Sequence, residues 1–262
     1  MVRGRPARRR GGSVAQVKPP LGRTLLRLFT VQGSWNYERM QGVGVGVAEE
    51  PLLRDLAVSR SAAAYRAAVA RAAHFFNAHP YLCGMAVGAA ARAEHDGTPP
   101  DQVERLRTAL CGPLGSLGDR LVWAGWLPLN SGLALVGVSL GLGWWTVVGF
   151  LALYNAGHVA LRWWALRAGW ARGMRVAEAL RQPVLQRAAA VVGPGMALAM
   201  GAALPLAAGY LGGPFPGWAR ALVAGVAGVG LVLLRLPRLG VTGLRFGLGV
   251  VAMALVVGWA WR

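Results

Sequence analysis

The feature that most constrains this chain is a stretch of 41 residues, Leu121 to Leu161, that carries no formal charge. A helix crosses a bilayer with roughly 20 apolar residues, so the run is long enough to cross twice. Lipid offers no partner for backbone N–H and C=O groups, and a helix satisfies them internally. Gly141 and Gly143 mark a midpoint, and Arg120 and Arg162 close the two ends. The run therefore reads as a helical hairpin with both ends in the cytoplasm.

Composition agrees with that reading. The chain is 55% hydrophobic with a mean hydropathy of +0.43, and only 15% of its residues are charged. Ordinary soluble domains carry about a quarter. The expected fold is an all-α integral membrane protein, since no strand pattern competes. Ala188–Ala219 and Ala221–Leu234 are again uncharged, and Pro194, Pro205, Pro214 and Pro216 are expected to break this region into half-helices or turns. Phe246–Trp261 makes a short last crossing, which brings the expected count to about five.

The net charge of +18 comes from arginine, with Lys18 the one lysine. Nucleic acid is not the expected partner, because the arginines cluster beside apolar runs. There they set topology and meet anionic lipid. Residues 1–24 read as a disordered basic arm on the cytoplasmic face. Arg162 to Arg187 holds six arginines against Glu178 and reads as a cytoplasmic loop, with Trp163, Trp164 and Trp170 as an aromatic belt. Cys83 and Cys111 make no disulfide framework and read as small packed apolar residues. No metal-ligand spacing, phosphate loop or nucleophile motif appears, so no cofactor and no catalytic residue is expected.

Between the arm and the hairpin lies a mixed region, residues 25–120, and residues 121–262 form the membrane part. Leu25–Met40 reads as an interfacial amphipathic segment with Trp35 and Tyr37 at headgroup depth. Gly42–Gly46 lacks the spacing of a dinucleotide loop. Leu52–Phe76 reads as one helix and Asp101–Leu110 as another, capped by Asp101 or Thr98. His74 and His95 are placed on solvated faces. Two clusters stand out, His74-Phe75-Phe76-Asn77-Ala78-His79-Pro80-Tyr81 and Gly112-Pro113-Leu114-Gly115-Ser116-Leu117-Gly118-Asp119. Their Gly and Pro content suggests polar groups held on irregular backbone.

Four ordered stretches carry a resemblance. Ser34-Trp35-Asn36-Tyr37-Glu38-Arg39-Met40-Gln41, Phe75 to Tyr81, and Gly112 to Asp119 resemble segments of the IID subunit of mannose/fructose/sorbose-type sugar phosphotransferase permeases. Leu153-Tyr154-Asn155 through Trp163, continuing to Gly173, is similar to a fourth. Ala78, Ser116-Leu117 and Arg120 depart from the usual pattern, and the likeness fades beyond about residue 180. The resemblance implies one IID-like domain over about 25–262 in a bacterial cytoplasmic membrane, with its N-terminus inside. Such a subunit pairs with a IIC subunit as a hetero-oligomer to form the path of a mannose-type hexose. Cytoplasmic IIA and IIB relay the phosphate, and IID itself carries no phosphohistidine. A degenerate member with a regulatory or structural role, and an unrelated basic membrane scaffold, are the alternatives.

Sugar recognition needs convergent hydrogen-bonding groups and an aromatic platform. Asn77, His79 and Asp119 are candidates, although Asn77 and His79 equally suit a helix-breaking turn and Asp119 a helix N-cap. Asn155 and His158 lie three apart within the uncharged run, where polar groups are usually paired or functional. Contact with another helix or with IIC is the competing role for them.

Overall fold

The structure, a computed structural model, describes residues 19–212, 217–234, 245, 249–250 and 252–253. Most of the basic arm and most of the expected last crossing, Phe246–Trp261, lie outside the described residues. Among the described residues there is no strand, only isolated bridges. The elements are α1 (Leu21–Leu28), α2 (Gly42–Leu53), α3 (Leu56–Ser59), α4 (Ala62–Ala72), α5 (Cys83–Asp96), α6 (Pro100–Gly118), a π-helical segment (Asp119–Trp126), α7 (Leu127–Ser139), α8 (Trp145–Arg172), α9 (Ala177–Leu180), α10 (Pro183–Gly212) and α11 (Gly217–Leu234). Residues 21–24 are thus the first turn of α1 rather than part of the arm.

The hairpin has its turn where the glycines predict it. Gly141 and Gly143 sit at φ of 80° and 56°, the left-handed region that glycine enters freely, between the end of α7 and the start of α8. Among the described residues two stretches, Pro100–Ser139 and Ala177–Ala207, are long and apolar enough to cross a membrane.

Several expected boundaries are corrected. The Gly42–Gly46 run, for which no element was expected, is the first turn of α2. Its glycines buy proximity: a methyl at Gly42 would lie 2.0 Å from the His74 carbonyl oxygen, and one at Gly44 2.0 Å from that of Val31. The single helix expected over Leu52–Phe76 is three pieces, the last begun by Ser61, whose hydroxyl accepts the Ala64 amide at 3.1 Å. Neither Thr98 nor Asp101 caps α6; Pro99 holds the cap position and Asp101 pairs with Arg105 at 2.9 Å.

Gly112–Asp119 is helical, because a helix survives the one N–H that Pro113 removes. Asp119 therefore lies inside a helical run, where α6 passes into the π-helical segment, and is not a helix N-cap. Arg162, Arg167 and Arg172 belong to α8 rather than to a loop, and Trp164 and Trp170 pack on a buried core. Pro194 and Pro205 sit within α10 without ending it; Pro214 and Pro216 lie outside the described residues.

The chain forms two compact units. The first comprises Met1–Asp119 with His158–Pro183. Its core gathers Leu28, Val45, Leu53, Phe76, Met85 and Leu166 around α5, which is buried along almost its whole length. There α5 and α8 meet through small residues, since a methyl at Gly169 would lie 2.1 Å from the Met85 carbonyl oxygen. Two ion pairs are built into the same core, Arg107–Glu49 and Arg71–Glu94, each at 2.7 Å. Burial pushes the Glu49 carboxyl up to about 7, against the pull of Arg107.

The second unit comprises Arg120–Gly157 with Val184–Arg262. Within it α7 packs on α10, where a methyl at Gly132 would come within 2.9 Å of the Ala199 carbonyl carbon. Gly157 of α8 lies against the Trp126 ring, and the Trp126 indole donates to the Tyr154 carbonyl at 3.4 Å.

Candidate functional site

The first unit brings the singled-out stretches to one place. The segment Ser34–Gln41 folds as a tight turn in which the Asn36 side-chain oxygen accepts the amides of Glu38 and Arg39 at 3.1 and 2.8 Å. Asn36 and Met40 pair through their backbones, and Met40 takes a φ of 52°. The turn is then stitched to Phe75–Tyr81. The Phe76 amide donates to the Arg39 carbonyl, the Gln41 amide donates to the Phe76 carbonyl at 2.9 Å, and the buried Gln41 side chain donates to the Ala78 carbonyl at 2.8 Å.

These bonds fix the backbone on which His79 stands. The residue is 2% exposed. The Tyr81 amide donates to Nδ1 at 3.2 Å, so the neutral ring carries its proton on Nε2. The Gly112–Asp119 stretch closes over it: a methyl at Gly118 would lie 2.1 Å from the His79 Cβ. Burial, with Arg162 and His158 adding, pulls the His79 pKa down to about 4, while the nearby Asp119 opposes.

From α8 come His158 and Arg162. The Tyr81 ring stacks on His158 at 3.8 Å and meets His79 edge-on at 5.0 Å. The buried Arg162 donates from Nε to His158 Nε2 at 2.6 Å and from a terminal nitrogen to the Leu28 carbonyl at the end of α1. Its guanidinium lies 5.1 Å from the Phe29 ring and 5.0 Å from that of Tyr81. His158 accepts from a permanent cation, so it is neutral in this arrangement.

Of the five residues read from sequence, the fold brings His79 and His158 to the two sides of Tyr81. Asn77 and Asp119 are exposed, on the loop and just past Gly118. Asn155 is exposed in the second unit, its amide bonded back to the Leu151 carbonyl at 2.7 Å. His74 is exposed and pairs with Glu104, as expected of a solvated face. His95 is not on such a face: it is half-buried, 2.7 Å from the Leu52 carbonyl and edge-on to Trp170. Arg162 and Gln41 were missed. The signal for Arg162 was its place one turn after His158, which puts both on one helix face.

With this geometry in place, comparison with known proteins is decisive. The family signature described as "PTS system mannose/fructose/sorbose family IID component" matches residues 18–204. The chain belongs to this family. This IID-family chain is 32% identical over 170 residues to the sorbose-specific EIID component of Klebsiella pneumoniae, covering 62% of this chain and 60% of that protein. It is 29% identical over 171 residues to the mannose-specific EIID component of Escherichia coli K12, covering 62% and 58%. The chain thus spans less than two thirds of the length of these curated relatives. Its fold is like that in a structure of the mannose transporter ManYZ with microcin E492 (TM-score 0.56, 24% identity, 71% of this chain and 69% of that one). A second membrane protein structure matches with a TM-score of 0.61 at 19% identity, over 93% and 97%.

The perturbed histidine of the IID-family chain gives a first testable consequence. Because the folded pKa of His79 lies below the unfolded value near 6.5, its neutral burial is fully favourable above pH 6.5. That contribution is lost as pH falls through about 4. Glu49 acts in the opposite sense, so wild type is compared with His79→Gln. The stability difference between them should shift against wild type as pH falls from 7 to 4 in thermal unfolding. A pH-independent difference would mean that His79 is not held neutral.

Proposed function

We propose that this chain is the IID subunit of a phosphoenolpyruvate-dependent sugar phosphotransferase system. With a IIC subunit it forms the translocation path for a mannose-type hexose, which IIB phosphorylates on entry. Its place is the bacterial cytoplasmic membrane, crossed about five times, with the N-terminus and the basic face inside against anionic lipid. No chemical step is assigned to this subunit; IIA and IIB carry the phosphate.

The observation that carries this reading is the meeting of four family stretches on one cluster of aromatic rings and imidazoles. A neutral sugar is bound by hydrogen-bonding groups set against aromatic faces, in a place largely shielded from water. His79 and His158, with Tyr81 between them, fit that description. Asn77 and Asp119 lie at its edge as further contacts, and Asn155 is assigned to the membrane path.

The test is co-purification with the neighbouring IIC-type protein, then hexose uptake by proteoliposomes supplied with IIA, IIB and a phosphoryl donor. Uptake should require this chain. His79→Leu and Asn77→Ala should weaken it about tenfold, the scale of one lost buried hydrogen bond, with the complex intact. Equal transport without the chain, or no complex with any IIC-type protein, would end the proposal.

A further inference from the structure

Arg162 is 4% exposed, yet its charge has no carboxylate partner: among the described residues the ion pairs all use other cations. The same unit shows what it does with a buried arginine that only holds the fold. Arg107, 3% exposed, is given Glu49 and the Ala72 carbonyl, and Arg71 takes both oxygens of Glu94. A buried guanidinium without an anion is costly and therefore uncommon.

The partners Arg162 does have leave donors over. A guanidinium carries five N–H groups in a planar fork. One goes to His158 Nε2, which is neutral, and one to the Leu28 carbonyl. The Phe29 and Tyr81 rings lie against its face and use no N–H. Phe29 itself is 44% exposed. Arg162 also closes the 41-residue uncharged run, the depth at which an apolar helix meets polar headgroups.

We propose that Arg162, flanked by His158, Phe29 and Tyr81, is a binding site for the oxyanion of a phosphate ester. The fork matches two phosphate oxygens at once, which a lysine cannot reproduce. The ester can come from a sugar phosphate in solution or from the headgroup of an acidic lipid, and both present the same group.

The chain, co-purified with its IIC-type partner, is placed in nanodiscs of phosphatidylcholine alone. Binding of hexose 6-phosphate and of inorganic phosphate is followed by equilibrium dialysis. A parallel preparation carries phosphatidylglycerol, and the lipid retained after purification is counted by mass spectrometry. Arg162→Lys should weaken soluble phosphate binding, or acidic-lipid retention, by about tenfold or more, while Arg167→Lys on the same helix changes neither. Loss in the dialysis arm identifies a soluble ester, and loss in the lipid arm identifies a headgroup. A measurement on the wild type guards against a variant that fails to assemble. The bound phosphate must protect Arg162 from phenylglyoxal, read by peptide mass. If neither arm separates wild type from Arg162→Lys, or the wild-type arginine gains no protection from either source, the site does not exist. Sugar uptake in the same preparation is scored separately, so loss of the phosphate site leaves the transport reading standing.

Discussion

Arg107→Ala lowers the stability of the chain by about 3–5 kcal/mol, the usual result of removing one partner of a buried ion pair. The pair is 3% and 2% exposed, so water does not replace what is lost. Three contacts go together: the 2.7 Å bond to Glu49, the 2.6 Å bond to the Ala72 carbonyl that closes α4, and the approach to the Phe76 ring. Glu49, already raised to about 7 by burial, rises further once its cation is gone and stays protonated at neutral pH. Replacing both partners by apolar residues, Arg107→Met with Glu49→Leu, recovers most of the loss, because no charge is then stranded. Thermal unfolding of the single and double variants in one detergent reads both effects. A double variant no better than Arg107→Ala would show that the bond to Ala72, rather than the charge pair, holds α4 in place.

That pair illustrates what the amino-acid pattern hides. Glu49 and Arg107 are 58 positions apart, and nothing local marks either as buried. The turn between α7 and α8, by contrast, was open to inspection, because two close glycines in an uncharged run are a local signal. Helix α5 escaped notice for a related reason. Buried on almost every side, it shows no polar face, and so no 3.6-residue alternation to detect. Nothing local in the Gly42–Gly46 run announces the start of α2, because each glycine costs a helix about 1 kcal/mol relative to alanine. Close packing on His74 and Val31 outweighs that cost.

For the candidate site, His79 drew notice within a cluster broken by Pro80, and His158 as a polar group inside an uncharged run. Residue type could not say that Tyr81 would bring them together, nor that Asn77, Asp119 and Asn155 would lie exposed. Orientation is a tertiary property. Arg162 looked like a boundary charge until α8 was seen to run through it to Arg172.

Gly118→Ala should disable the site, whereas Gly115→Ala, on the same helix three residues earlier, should leave it intact. A methyl at Gly118 would fall 2.1 Å from the His79 Cβ and 2.3 Å from Cγ. These atoms lie at the base of the side chain, so no rotamer change relieves the overlap. Either α6 backs away or the His79 loop moves, and neither is free. The loop is held by Gln41 at Phe76 and Ala78, and α6 is anchored through Arg107. Overpacking of this kind costs about 1–3 kcal/mol, and here the displaced group is the candidate ligand itself. A methyl at Gly115 finds its nearest neighbour, the Ala78 Cα, at 4.0 Å, an ordinary contact. There the change instead gains helix propensity, up to about 1 kcal/mol. The two variants should therefore move in opposite directions in unfolding temperature, and only Gly118→Ala should lose hexose uptake. Equal behaviour would mean that α6 adjusts without disturbing His79, and that the contact between Gly118 and His79 sets neither stability nor transport.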